Sequence, residues 1–279
     1  MTTAQPDSGQ QHIAFIGGGN MASAIIGGLL KRGLPPSQIQ VVEPCAEQRA
    51  RLVQQFGVTV NETPDAALNF ATLVVWAVKP QTFRAAAAQT RAHSGAALHL
   101  SVAAGIRSDS IACWLGTQRV VRAMPNTPAL VGKGMTALFA RPAATAADRL
   151  AVESVIQTTG EYLWLEQEEQ LDAVTALSGS GPAYVFYFIE AMVQAGTDMG
   201  LSREQAHQLA VATFVGASAL AEGSHEPPDV LRARVTSKGG TTYAALASME
   251  QDGIKTQFMR AMHAARTRAR ELGNEFGAS

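Results

Sequence analysis

The stretch IAFIGGGNMASA, Ile13–Ala24, decides how the first half of the chain is read. HIAFIG (12–17), which overlaps its start, is a short apolar, β-rich run and reads as the first strand. Three glycines follow, and Asn20 opens a segment, 20–33, with helical spacing of apolar residues and a terminal Gly33. Gly17-Gly18-Gly19-Asn20-Met21-Ala22 fits G-x-G-x-x-A. In that pattern Gly17 permits a tight turn, Gly19 leaves room for a pyrophosphate against the backbone, and Ala22 lets helix and sheet approach closely. The helix start at Asn20 and Met21 presents N–H groups and a partial positive charge to phosphates. Alone, such a hexamer is a weak signal, since a glycine-rich turn can serve packing only. Here a strand precedes it, a helix follows, and the acidic Glu43 ends the next strand about 20 residues on, which is the context of dinucleotide binding.

Outward from this turn, strands and helices alternate. IQVVEP (39–44) reads as a strand and AEQRARLVQQFG (46–57) as a helix. TLVVWAVKP (72–80) is the third strand, followed by the alanine-rich helix TFRAAAAQTRAH (82–93). ALHLSVAAG (97–105) is the fourth, with helix SDSIACWLG (108–116) capped by Ser108 or Asp109. QRVVRAMP (118–125) is the fifth, and GMTALFARP and GEYLWLE add edge strands with a helix over 145–159 between them. Alternation of this kind predicts βαβ units, hence a parallel sheet covered on both faces.

After about Glu166 the pattern turns helical. GPAYVFYFIEAMVQAGTDMG (181–200) is apolar on nearly all sides, which predicts a buried helix, and Glu190 and Asp198 argue against a membrane span. SREQAHQLAVATFVGASALAEG (202–223) starts with the capping-box pair Ser202 and Gln205. The predicted fold is therefore α/β: a Rossmann-like nucleotide-binding domain over 1–166, then an all-helical domain over 167–279.

The chain's 279 residues carry a net charge of −1, which leaves no electrostatic footprint for nucleic acid. Arg266, Arg268 and Arg270 read as a solvated helix face. Cys45 and Cys113 have no metal-ligand spacing and predict free thiols. The polar start MTTAQPDSGQQH has no apolar run behind it, so a cytoplasmic protein with a frayed first ten residues is expected.

In a doubly wound sheet ligands lie outside the carboxyl ends of the strands. AVKP (77–80), with Ala77, Lys79 and Pro80, ends one strand. VAAG (102–105), with Ala104, ends the next, and MPNTP (124–128) the one after. A second glycine phrase, VTSKGGTT (235–242), precedes the helix YAALASM. Ser237, Gly239, Gly240, Thr241 and Thr242 can converge N–H and O–H donors on one point, as a small carboxylate or a phosphate requires. Simple capping by threonine explains the phrase equally well. LSGSGPAYVF (177–186) reads as a further small-residue turn before a helix.

FIGGGNMA, AVKP, SVAAG, RAMPNTPA, SGSGPAYVF and VTSKGGTTYAAL, in this order and spacing, resemble the pyrroline-5-carboxylate reductases, the last enzymes of proline biosynthesis. The resemblance runs from Ile13 to about Leu272. One departure is Lys238, where the family's late motif often has proline. The resemblance implies reduction of the imine of 1-pyrroline-5-carboxylate to L-proline with NADPH or NADH. It makes the Ser237–Thr241 loop the seat of the substrate carboxylate, and it brings the Thr242 hydroxyl to the imine nitrogen, to orient it or relay a proton. It implies an interlocked homodimer, with a decamer, as a pentamer of dimers, as the larger assembly, and a site between one subunit's nucleotide domain and helices of the dimer. A β-hydroxyacid dehydrogenase is the rival enzyme, but the lysine expected on the helix after the glycine-rich turn is missing from PAYVFYFIEAM. A non-catalytic nucleotide-binding protein is the other alternative. Glu43 has two readings. Its carboxylate accepts hydrogen bonds from the adenosine ribose, with Arg49 or Arg51 offsetting a 2′-phosphate, or it points into solvent.

Overall fold

The computed structural model describes residues 11–277; the first ten residues, expected to fray, lie outside that range. Eight strands form one sheet in the order β3-β2-β1-β4-β5-β6-β7-β8. They are β1 (Ile13–Ile16), β2 (Ile39–Val42), β3 (Thr59–Asn61), β4 (Leu73–Trp76), β5 (Leu98–Ser101), β6 (Val120–Met124), β7 (Gly134–Ala140) and β8 (Gly160–Trp164). All neighbours are parallel except β6 and β7. The helices α1 (Asn20–Lys31), α2 (Ala46–Phe56), α3 (Pro80–Thr90), α4 (Ser108–Leu115) and α5 (Ala146–Ile156) fill the connections.

The strand IAFI shows why the opening run lacks alternation. Ile13 and Phe15 pack with Ile25, Ile26, Leu52 and Val155 in a core that includes α1, α2 and α5 residues. Ala14 and Ile16 point the other way, into a second core with Phe83 and Ala87 of α3 and Ile111 and Leu115 of α4. Every side chain of the strand is therefore buried, and the two-residue period is hidden in the sequence. The edge strand β3 is absent from the sequence reading. Three residues paired on one side only are too short to carry a periodic signal.

Within the second core, the Trp76 indole N–H donates to His99 Nδ1 at 3.0 Å, and His99 Nε2 lies 3.1 Å from the Ser94 carbonyl. The indole can only donate, so Nδ1 accepts and Nε2 carries the hydrogen. Burial lowers the His99 pKa from 6.5 to about 4.

Two expectations about local structure are corrected. The N-cap of α4 is Arg107, not Ser108 or Asp109. Ser108 instead donates its N–H (2.6 Å) and its hydroxyl (2.5 Å) to Glu168, sixty residues away in sequence. The same carboxylate receives Arg122 of β6 at 2.6 Å. The Arg122 and Glu168 side chains are only 8% and 12% exposed, so the pair is desolvated. The second correction concerns LSGSG, which is not an open turn. Helix α6 (Gln170–Val174) runs directly into a π-helical segment, Thr175–Gly179, before α7 (Gly181–Asp198) begins.

The chain divides into two compact units: one runs to Ser180 and takes back the residues from Ala265, and the other is Gly181–Ala264. The sheet's last strand does end near 166, but α6 and the π segment belong with the sheet. So does the latter half of the last helix, α11 (Ile254–Gly277), where Leu272 packs beside Gly105. The second unit holds α7, α8 (Arg203–Glu222), α9 (Pro228–Arg234), α10 (Thr241–Gln251) and the start of α11. Helix α8 carries the expected capping box, with Ser202 and Gln205 exchanging bonds of 2.9 and 3.2 Å. In α7, by contrast, Phe186 and Tyr187 are 65% and 70% exposed in the single chain, so the helix is not covered by its own unit. Among the described residues no helix is long and apolar enough to cross a membrane.

Two stability measurements follow. Glu168→Ala leaves Arg122 buried without its partner and should cost about 3–5 kcal/mol, read as a lower urea midpoint; Glu168→Gln, which keeps an acceptor, should cost less. His99 titrates at 6.5 when unfolded and about 4 when folded. Between those values the unfolded chain binds more protons, so this contribution is present above pH 6.5 and is lost as pH falls towards 4. It amounts to roughly 3 kcal/mol. His99→Gln retains an acceptor and a donor but not the titration, so the stability gap between wild type and variant should shift in the variant's favour from pH 7 to pH 4.5. A constant gap would contradict this.

Candidate functional site

The sheet order reverses at β1, which lies between β2 and β4. Connections leave in opposite directions there, and a doubly wound sheet takes its ligand outside the carboxyl ends of the strands at such a point, here β1 and β4. Gly17 turns the chain at this point with φ +94°. Its N–H donates to the Val42 carbonyl at 2.8 Å, and the Ala77 N–H donates to the Ile16 carbonyl at 2.8 Å. A Cβ on Gly17 would lie 2.6 Å from the Ala77 carbonyl oxygen, so no side chain fits.

Gly19 is the N-cap of α1, and a Cβ added there would meet nothing within 4 Å. No side chain caps this helix, and its first turn holds no acidic residue. Open space beside uncapped N–H donors fits the pyrophosphate of a dinucleotide. Asn20 is exposed at the helix start, while Met21 is half-buried against the sheet's first core. Ala22 is fully buried, as close packing of α1 requires.

Glu43 does not extend into solvent. One carboxylate oxygen accepts the Gly18 N–H at 2.8 Å and the other accepts the Cys45 N–H at 2.8 Å. From α2, the Gln48 amide donates to the Gly18 carbonyl at 2.5 Å. The Gly18 peptide groups are thus gripped on both sides by side chains of the β2–α2 segment. Arg49 donates to the Glu43 and Pro44 carbonyls, at 3.0 and 2.6 Å, and to Glu62 at 3.1 Å. Arg51 pairs with Glu47 at 3.3 Å on the surface. Gln48 was not singled out in the sequence. Only its position one turn into α2, facing the glycine turn, could have drawn attention to it.

Lys79 is exposed at the N-cap of α3, with Pro80 as the first helical residue. Ala104 is half-buried in the loop after β5, which is tied to β4 by the Val102 N–H on the Trp76 carbonyl at 3.0 Å. After β6, Asn126 accepts the Met135 N–H at 3.0 Å and donates to Ser178 at 3.1 Å, joining the MPNTP loop to the π segment. A Cβ on Gly179 would lie 2.3 Å from the Met124 methyl.

In the second unit, the Gly240 N–H donates to the Ser237 carbonyl at 3.0 Å, closing a turn over Lys238 and Gly239. Gly239 has φ +76°, and among the described residues none other than glycine has positive φ, so the turn is type II. Its second position, Lys238, is where proline suits this turn type. Gly240 is the N-cap of α10 and no side chain caps it, which removes the reading of this phrase as threonine capping. A Cβ on Gly240 would lie 2.7 Å from Ser237 Oγ. Ser237, Gly239, Thr241 and Thr242 are exposed. Among the described residues no group of His, Cys, Asp and Glu could hold a metal ion.

Residues 168–272 match the family description "Pyrroline-5-carboxylate reductase dimerisation", and residues 12–105 match "NADP oxidoreductase coenzyme F420-dependent". The chain is 45% identical over 267 residues to pyrroline-5-carboxylate reductase of Pseudomonas aeruginosa, covering 95% of this chain and 98% of the relative. It is 37% identical to the Arabidopsis thaliana enzyme, covering 93% and 95%. Among solved structures, the Coxiella burnetii reductase superposes with TM-score 0.87 at 35% identity, covering 94% and 98%. A Plasmodium falciparum reductase with NADP bound superposes with TM-score 0.85 at 26% identity, again covering 94% and 98%. Shared sequence and shared fold over nearly the full length of these relatives lead to one conclusion: the chain belongs to the pyrroline-5-carboxylate reductase family.

Proposed function

We propose that this chain reduces 1-pyrroline-5-carboxylate to L-proline with NADPH or NADH, the last step of proline biosynthesis. The observation that carries this is 45% identity over nearly the whole of both chains. The nicotinamide, when bound, supplies a hydride to the carbon of the ring C=N bond.

The chain's own residues do the holding. The uncapped start of α1, at Gly19, Asn20 and Met21, takes the pyrophosphate, and Gly17 brings the turn against Ala77. Lys79, Pro80 and Ala104, at the carboxyl edge of β4 and β5, line the cofactor. The Ser237–Thr241 turn directs N–H groups of the α10 start at the substrate carboxylate, with Gly239 and Gly240 admitting it close to the backbone. Thr242 places its hydroxyl at the imine nitrogen. A threonine hydroxyl is too weak an acid to donate outright, so it orients the imine and relays the proton that the nitrogen gains.

The enzyme works as a homodimer built through the second unit. The match of 168–272 to a dimerisation family supports this. So does exposed apolar surface: Phe186 and Tyr187 on α7, and Val215 and Leu220 on α8, the last two 65% and 73% exposed. A decamer formed as a pentamer of dimers is the assembly we assign.

Thr242→Ala should lower kcat by about 10²-fold, the small end of what proton handling contributes, while leaving cofactor affinity intact. Because Thr242 caps nothing, wild-type turnover in this variant would remove its assigned role outright. Gly240→Val should raise KM for the carboxylate substrate through the clash with Ser237. Light scattering should find a dimer or a multiple of it, and a monomer that keeps full activity on dilution would disprove the assembly.

A further inference from the structure

The side-chain amide of Asn126 joins two segments at the carboxyl end of β6. Its Oδ1 accepts the Met135 N–H at 3.0 Å, and its Nδ2 donates to Ser178 Oγ at 3.1 Å. A backbone N–H can only donate, so the amide cannot be turned round: its NH2 group must face Ser178. The Ser178 hydroxyl is thereby used as an acceptor, and its own hydrogen is left to donate. Among the described residues this hydroxyl makes no other hydrogen bond.

Packing alone does not call for this arrangement. Met124 already fills the space beside Gly179, where a Cβ would lie 2.3 Å from its methyl group. The π segment is itself a departure from α-helical bonding, closed by the Ser180 N–H on the Thr175 carbonyl at 2.8 Å. Single turns of this kind recur at functional sites. Ser178 is half-buried within it.

The sheet indicates which group this donor meets. A doubly wound sheet holds a dinucleotide across the reversal in strand order, one mononucleotide over each half. The adenosine half lies on the side of β2 and β3. The ends of β4, β5 and β6 therefore belong to the nicotinamide half, and Ser178 is tied to the loop that leaves β6. A hydroxyl hydrogen suits a carbonyl oxygen, and the nicotinamide ring carries one on its amide.

We propose that Ser178 donates its hydroxyl hydrogen to the amide oxygen of bound nicotinamide, and that Asn126 is the positioning residue that turns it that way. The proposal rests on the reading of the β1–α1 turn as the nucleotide site. A ring held by its amide is restrained in rotation, and hydride transfer needs a set angle between donor and acceptor.

Asn126→Asp separates orientation from mere linkage. A carboxylate still accepts the Met135 N–H, and it still bonds Ser178, but only by accepting the serine hydrogen. Both links persist while the donor is turned inward. Calorimetric titration of the full-length protein with NADP+, and with 2′-phospho-ADP-ribose, which lacks the nicotinamide, reads this without turnover. Asn126→Asp and Ser178→Ala should each weaken NADP+ by about fivefold, the scale of one neutral hydrogen bond, and leave the fragment unchanged. Combined, they should be no worse than either alone, because they act through one hydroxyl. Ser178→Thr, which keeps the hydroxyl, should bind as the wild type does. Wild-type affinity for NADP+ in Asn126→Asp would reduce Asn126 to a structural link and overturn the proposal. Wild-type affinity in Ser178→Ala would overturn it too, whether or not the aspartate variant folds. Equal weakening of the fragment and of NADP+ would assign the effect to structural damage and count against it. Failure of the wild type to bind either molecule would instead overturn the nucleotide site on which the proposal rests.

Discussion

The distance between Gly17 and the Ala77 carbonyl governs the nucleotide half of this molecule. A Cβ at Gly17 would lie 2.6 Å from that oxygen, closer than packing permits. The two strands concerned, β1 and β4, are neighbours at the point where the sheet order reverses. Their ends must come close for the sheet to hold, yet the helices that follow must leave in different directions. Glycine in a left-handed conformation is what lets both conditions be met. The exposed start of α1 and the empty space beside Gly19 follow from that turn.

The β2–α2 segment then holds the turn by its backbone. Glu43 and Gln48 grip the two sides of Gly18, so the donors left for an anion are those of Gly19 and the first turn of α1. The same carboxylate that shapes the turn also ties it to the start of the β2–α2 segment through the Cys45 N–H. At the far end of the sheet, Glu168 has a comparable double role. It closes the start of α4 and neutralises the buried Arg122 of β6, so the segment leading to α6 is anchored to the sheet by charge as well as by packing.

The second unit obeys a different constraint. Its buried apolar cluster consists of Val193, Ala206 and Ala210, while Phe186, Tyr187, Leu209, Val215 and Leu220 remain open. Small residues at the contact, such as Gly196 against Ala206, let α7 and α8 approach closely but contribute little buried area. The unit therefore leaves much of the largely apolar α7 exposed, and residues 168–272 match a family described by its dimerisation.

Much of this was legible in the sequence. The βαβ alternation, the glycine turn, the acidic end of β2 and the glycine-threonine start of α10 are local features, set by backbone sterics and hydrogen bonding within a few residues. Reading 12–17 as a strand needed only its short apolar, β-rich run. What lay outside such a reading depended on partners distant in the chain. Nothing near Ser108 announces Glu168, sixty residues on, as the group that closes its helix. The strand Thr59–Asn61 exists because β2 offers an unpaired edge. The direction of the Glu43 carboxylate could not be decided from its position, because the Gly18 N–H that fixes it is brought near only when β1 and β2 pair. Sequence singled out candidate residues for binding. The tertiary structure decided which of their charges and donors were already in use, because a hydrogen bond between segments exists only once the sheet has brought them together.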